Sequence, residues 1–165
     1  MHTEKKHYEL NPIGSVQVDE EKGLFLLKID EPYREALAQL DRFSHVMVFW
    51  WADQMDTPQY RKMLTAQLPY AKGVNAGVFA CRSEYRPNPI ALTTTMVLGV
   101  APENGVVLVP WMDAFAGTPV LDLKPYIPCT DRVRDVRVAD WMSDWPEWME
   151  DAGEYFAQHA VDFGE

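Results

Sequence analysis

The order of apolar and polar positions predicts short strands and few helices. Val16 and Val18 stand two apart in the segment 13–18, a polar run from Asp19 to Gly23 follows, and LFLLKI at 24–29 is apolar again, the pattern of a β-hairpin. Asp30 ahead of Pro32 opens a short helix that places Tyr33, Leu37 and Leu40 on one face. FSHVMVFWW at 43–51 is β-branched and aromatic on both faces, as in a central strand. Thr57 and Pro58 resemble a helix start, yet Leu64, Ala66 and Leu68 alternate with Met63, Thr65 and Gln67, which predicts a strand over 61–68. Further strands are expected at 76–80, 90–100 and 105–110, the last two joined by a turn at Pro102 to Gly105. No βα alternation is present, so the fold class is mainly β: an antiparallel β-barrel with one or two short helices and a C-terminal helical tail.

Beyond Asp113, AFAGTPVLDLKPYIP reads as extended chain and puts Asp122, Lys124 and Tyr126 on one side. The Asp122–Lys124 pair reads equally well as a structural ion pair. Asp144 and Pro146 start a terminal helix with Trp148, Ala152, Tyr155 and His159 on a shared face. That helix is expected to dock on the barrel or on a partner subunit, with Trp141, Trp145 and Trp148 as packing residues. The barrel takes residues 1–130, and 131–165 is an acidic, Trp-rich tail of the same domain.

Composition narrows the function classes. A chain of 165 residues with six Trp, seven Tyr and seven Phe supports one packed domain. Its net charge of −10, from 25 acidic and 15 basic residues, repels nucleic acid at long range, and no DNA partner is expected. From Asp140 onward there is no Lys or Arg, so the body is closer to neutral than the total. No apolar run suits a signal peptide or a membrane span, which points to a cytoplasmic protein. Cys81 and Cys129 lack metal-ligand spacing and are expected as reduced thiols, and no metal site is indicated. His45 inside the apolar strand reads as a satisfied core histidine, and His2, His7 and His159 as terminal residues without a role.

The most distinctive stretch is GVFACRSEYRPNPIAL at 77–92. Pro87 and Pro89 fix their own φ and push Arg86 and Asn88 toward extended conformations, so the loop can be rigid without internal hydrogen bonds. It displays the forked donors of Arg82 and Arg86, the Ser83 hydroxyl and the Asn88 amide, a set suited to a small polar ligand. A Pro-rich turn with two surface arginines is the alternative. The sequence has no GxGxxG, Walker loop, GxSxG or HExxH.

In order, LDRFSHVMVFWW at 40–51, GVFACRSEYRPNPIAL at 77–92 and AGTPVLDLKPYIP at 116–128 resemble the TsaA-like family, also called the tRNA methyltransferase O family. The resemblance implies a small β-barrel that uses S-adenosylmethionine (SAM), forms a homodimer and methylates a nitrogen of threonylcarbamoyl-modified adenosine in tRNA. By position it implies cofactor contacts from Asp53, Gln54, Arg82, Leu92, Pro110, Trp111, Met112 and Asp113. Arg86, Asn88, Lys124 and Tyr126 are the candidates for acceptor binding or proton handling. Leu92, Trp111 and Met112 suit an adenine slot, Arg82 the methionine carboxylate, and Asp53 or Asp113 the sulfonium side. The chain departs from the family pattern at Ala91 in RPNPIA, at Ala116 in AGTP, and in lacking a Pro-rich loop between Val18 and Leu24. The alternatives are a barrel that binds SAM or another small ligand without turnover, and a methyltransferase acting on a small acceptor.

Overall fold

A computed structural model describes residues 8–159; His2 and His7 lie outside it. Strands β1 (Gly14–Asp19), β2 (Leu24–Ile29), β3 (His45–Trp51), β6 (Ile90–Met96), β7 (Gly99–Ala101), β8 (Val106–Val109) and β9 (Pro119–Pro125) form one sheet. Its order is β6-β3-β9-β1-β2-β8-β7, and every pairing is antiparallel. A two-stranded ladder, β4 (Thr65–Gln67) with β5 (Asn75–Gly77), stands apart from it.

The alternation along β3 explains the core. Val46, Val48 and Trp50 are buried, while His45, Met47, Phe49 and Trp51 on the other face are half-buried. Val16, Leu27, Ile29, Val107, Val109 and Val120 meet the buried set from neighbouring strands. The expected strand 90–100 is two strands, β6 and β7, at the opposite ends of the sheet order. Between them Val97 N–H donates to the Ser44 carbonyl at 2.8 Å and Leu98 N–H to the Leu108 carbonyl at 2.9 Å.

The expected helix is a 3₁₀ segment, Glu31–Leu37, followed by a second, Leu40–Arg42. Gln39 takes a left-handed φ of 71° between them and breaks the face, so Leu37 and Leu40 are buried but Tyr33 stays exposed. The expected strand 61–68 shrinks to β4 because Tyr60–Lys62 is a 3₁₀ turn; 76–80 holds only the end of β5, with Val78–Ala80 a 3₁₀ turn.

The short helix α1 (Pro128–Asp131) follows β9, and helix α2 (Met149–Gln158) closes the tail. The tail docks on the β4–β5 ladder. Trp141 packs against the cluster of Leu68, Ala71 and Ala76, and Trp145 meets Tyr70 edge-on, with ring centroids 5.1 Å apart. Trp148 does not share that packing; it is exposed beneath the Arg132 guanidinium, 4.2 Å from its ring centroid. Tyr155 and His159 stack on one face as the spacing predicts.

Candidate functional site

Because the sheet is antiparallel, the end of β1, the start of β2, the ends of β3 and β8, and the start of β9 lie together. A cavity of about 700 Å³ opens there. Phe25, Trp50 and Met112 give it an apolar floor, and Glu20, Asp53, Glu84 and Asp113 bring four carboxylates to its lining. No Lys, Arg or His lines it, and none of these four acids belongs to an ion pair among the described residues. Such a cavity favours a cation carried on an apolar body.

Its walls are tied by two side-chain hydrogen bonds, one of them buried. Trp50 Nε1–H donates to Thr93 Oγ1 at 3.0 Å, and Thr95 Oγ1–H donates to the Trp111 carbonyl at 2.9 Å, anchoring the segment after β8 to β6. Met112 is thereby buried, while Asp113 remains exposed at the rim. The tight turn from Asp19 to Gly23, closed by a Lys22–Asp19 pair at 3.1 Å, carries Glu20 to the lining.

Four of the cofactor residues expected from the sequence, Asp53, Gln54, Met112 and Asp113, line this cavity together. Arg82, Leu92, Pro110 and Trp111 do not. Arg82 is exposed on the preceding loop, Pro110 and Trp111 are exposed just ahead of Met112, and Leu92 stands on the outward face of β6, opposite Phe49.

The acceptor candidates are spread out. Arg86 turns back on its own loop, with Nη2–H donating to the Val78 carbonyl at 3.1 Å and Nη1–H to the Ser83 carbonyl at 3.4 Å. With Tyr85 N–H donating to Ser83 Oγ at 3.2 Å, the loop is stiffened by internal hydrogen bonds as well as by its prolines, which corrects the sequence expectation. Asn88 lines a second depression of about 880 Å³ on the outward face of β3. Lys124 Nζ pairs with Asp122 at 2.7 Å over the Phe49 ring. Tyr126 meets His45 edge-on at the far end of β3, about 17 Å along the strand from Trp50 at 3.4 Å per residue. His45 is no core residue. It faces outward, half-buried, with Nδ1 2.9 Å from Ser44 Oγ.

Sequence reasoning missed Glu84, Glu20, Phe25 and Trp50. Glu84 lay inside the loop singled out for its donors, where its carboxylate was the one group of opposite sign. Glu20 and Phe25 carried no local signal, since only the hairpin brings them to the strand ends.

The sequence profile of the tRNA-methyltransferase O N-terminal domain matches residues 1–132. The chain belongs to the tRNA-methyltransferase O family. It is 33% identical over 110 residues to an S-adenosyl-L-methionine-binding protein of Archaeoglobus fulgidus, a match covering 67% of this chain and 74% of that protein. To a tRNA (adenine(37)-N6)-methyltransferase of Mus musculus it is 37% identical over 103 residues, 62% of this chain but only 23% of the mouse protein. A solved TrmO structure from Pseudomonas aeruginosa superposes with a TM-score of 0.64 at 25% identity, covering 94% of this chain and 75% of the other. Two departures from the family pattern have places in this fold. Ala91 packs its methyl against the core across from Trp50, and Ala116 lines the cavity at the position where the pattern has a carboxylate.

Proposed function

We propose that the protein is a SAM-dependent methyltransferase that holds SAM in the cavity at the strand ends and methylates the N6 position of threonylcarbamoyl-modified adenosine in tRNA. The observation that carries this reading is the convergence of Asp53, Gln54, Met112 and Asp113 on one cavity with an apolar floor and four carboxylates. The residues fit the group. Phe25, Trp50 and Met112 suit the adenine, the carboxylates suit the ammonium and sulfonium, and the Gln54 amide offers donors to the methionine carboxylate. When bound, SAM supplies a methyl group activated by its positive sulfur. The chain's part is to align donor and acceptor and to keep the floor dry, with Asp53 or Asp113 at the rim able to accept the proton released from the nitrogen.

Finer features belong to the same reading. The sheet closes as a barrel, which the continuity of 90–101 across its two ends supports. The protein works as a homodimer in the cytoplasm, and the exposed Val133, Val136 and Val138 at the start of the tail suit a subunit contact.

Labelled SAM incubated with total tRNA from a strain lacking the endogenous activity, beside a pool of small metabolites, tests the proposal. Label in tRNA is the expected result, and label in neither fraction overturns turnover. The inward-tied Arg86 and the ion-paired Lys124 favour a second reading, a SAM-binding protein without turnover. Calorimetric binding of SAM with no label transferred would select it.

A further inference from the structure

Among the described residues the buried polar side chains are those of Thr93, Thr95 and Thr118. The first two are committed: Thr93 Oγ1 accepts from the Trp50 indole, and Thr95 Oγ1–H donates to the Trp111 carbonyl. Thr118 is only 4% exposed, yet its hydroxyl has no partner among the described residues and is not sealed into the core. Thr118 lines the cavity at the strand ends, and its hydroxyl opens there. A hydroxyl held almost out of water without a partner is costly, and a ligand group at that spot removes the cost.

The backbone holds this hydroxyl in place. Thr118 N–H donates to the Phe115 carbonyl at 3.2 Å, its carbonyl accepts from Val16 N–H at 2.9 Å, and Gly117 N–H donates to the Val16 carbonyl at 2.8 Å. These bonds pin the segment ahead of β9 to β1, so the hydroxyl is a fixed part of the wall. It can donate as well as accept, whereas the ionised carboxylates of the lining only accept.

The cavity is also divided by depth. Trp50, Ala52, Met112 and Thr118 are its buried residues, while Glu20, Asp53 and Asp113 are exposed and Glu84 is half-buried. The Trp50 N–H is taken by Thr93, which leaves the Thr118 hydroxyl as the uncommitted polar side-chain group at the buried end. A ligand with one flat neutral end and one charged end is therefore sorted. Its charges stay with the carboxylates at the rim, and its heterocycle goes in against Trp50 and Met112. The Thr118 hydroxyl then meets the edge of that heterocycle.

We propose that Thr118 reads the adenine edge of SAM and thereby fixes the cofactor's orientation, base inward and amino acid at the rim. The proposal rests on the SAM-binding reading above. That orientation leaves the sulfonium and its methyl group toward the mouth of the cavity, where an acceptor as large as RNA can approach. Thr118 is not among the cofactor contacts expected from the sequence.

Calorimetry on the full chain, Thr118→Val and Thr118→Ser tests this with two ligands, S-adenosylhomocysteine and 5′-methylthioadenosine. The second keeps the adenosine and has no amino-acid group. Thr118→Val keeps the shape and loses one neutral hydrogen bond, so both ligands are expected to weaken by about three- to tenfold and by the same factor. Thr118→Ser keeps the hydroxyl and is expected to stay within about twofold of the unaltered chain. Because the hydroxyl has no partner in the protein, Thr118→Val is not expected to lower the urea midpoint. A lower midpoint would give the hydroxyl a structural bond and overturn the proposal. Weakening of S-adenosylhomocysteine alone, unchanged affinity for both ligands, or binding of S-adenosylhomocysteine without 5′-methylthioadenosine overturns the base-edge assignment and leaves SAM binding in place. Absence of S-adenosylhomocysteine binding by the unaltered chain overturns the SAM reading and this assignment with it.

Discussion

The indole of Trp50 donates to Thr93 Oγ1 at 3.0 Å between two buried residues on paired strands, and the same indole floors the cavity. Thr93→Val keeps the shape but leaves the buried N–H without its acceptor. The expected cost is about 1–3 kcal/mol of stability, read as a lower urea midpoint with an unchanged slope. Thr93→Ser, which restores the hydroxyl, is expected to recover most of that loss. Equal midpoints for Thr93→Val and the unaltered chain would show that the bond contributes nothing.

Asp56 holds Trp51 and Arg61 together, and its response to pH follows from that. The Arg61 hydrogen bond and, after it, the indole N–H keep the Asp56 carboxyl below its ordinary value of 3.8, against the opposing effect of burial. A depressed folded pKa stabilises the native state above the unfolded pKa and loses that contribution as pH falls through the folded one. The clamp is therefore intact at neutral pH and weakens below about pH 4. Both partners are partly in water, with 41% and 26% of the Arg61 and Asp56 side chains exposed, so the effect is about 1 kcal/mol or less. Asp56→Asn is expected to lower stability at pH 7 and to flatten the acid limb of a stability–pH curve; parallel curves for the two proteins would contradict the clamp.

The strands were legible where alternation is strong and the segment is paired on both sides. β3, β1 and β2 stand where the sequence puts them, because Val46, Val48 and Trp50, and likewise Val16, Leu27 and Ile29, bury one face each. The 61–80 region was not legible in the same way. Its alternation is real at Ala66 and Leu68, but the ladder is only three residues long, and part of the packing around Leu68 comes from Trp141, some seventy positions later. The site was half legible for a related reason. Asp53 and Met112 follow strand ends that the pattern predicts, whereas Leu92 is turned outward by the β3 register, which no local pattern discloses.

Gly105 ends the 3₁₀ turn at 102–104 with a φ of +64°, and its carbonyl accepts from Ile29 N–H at 2.7 Å. A Cβ there would lie 2.3 Å from the Ile29 carbonyl oxygen and 2.6 Å from Arg34 Nε. Left-handed backbone and a backbone clash act in the same direction, so Gly105→Ala is expected to cost about 1–3 kcal/mol. Gly23, also left-handed at φ +64°, has nothing within 4 Å of such an atom. Gly23→Ala should thus bear the conformational strain alone and lower the thermal midpoint less; an equal drop for both would remove the clash from the account.

The lining of the cavity leads to a prediction about charge that does not depend on turnover. SAM and S-adenosylhomocysteine share adenosine, ammonium and carboxylate and differ in the transferred methyl group and the positive charge it leaves on sulfur. Glu20, Asp53, Glu84 and Asp113 face the cavity without a basic neighbour in its lining, so their field favours the charged donor over the neutral product. Glu84→Gln removes one of these charges at nearly constant size. It is expected to weaken SAM by about three- to tenfold and S-adenosylhomocysteine by less than about twofold, with the SAM effect shrinking as salt is raised, since the rim is open to water. Calorimetry with both ligands at two ionic strengths gives the four constants needed. Equal weakening of the two ligands would mean that Glu84 acts through shape or shared hydrogen bonds, and unchanged SAM affinity would place the sulfonium away from this loop.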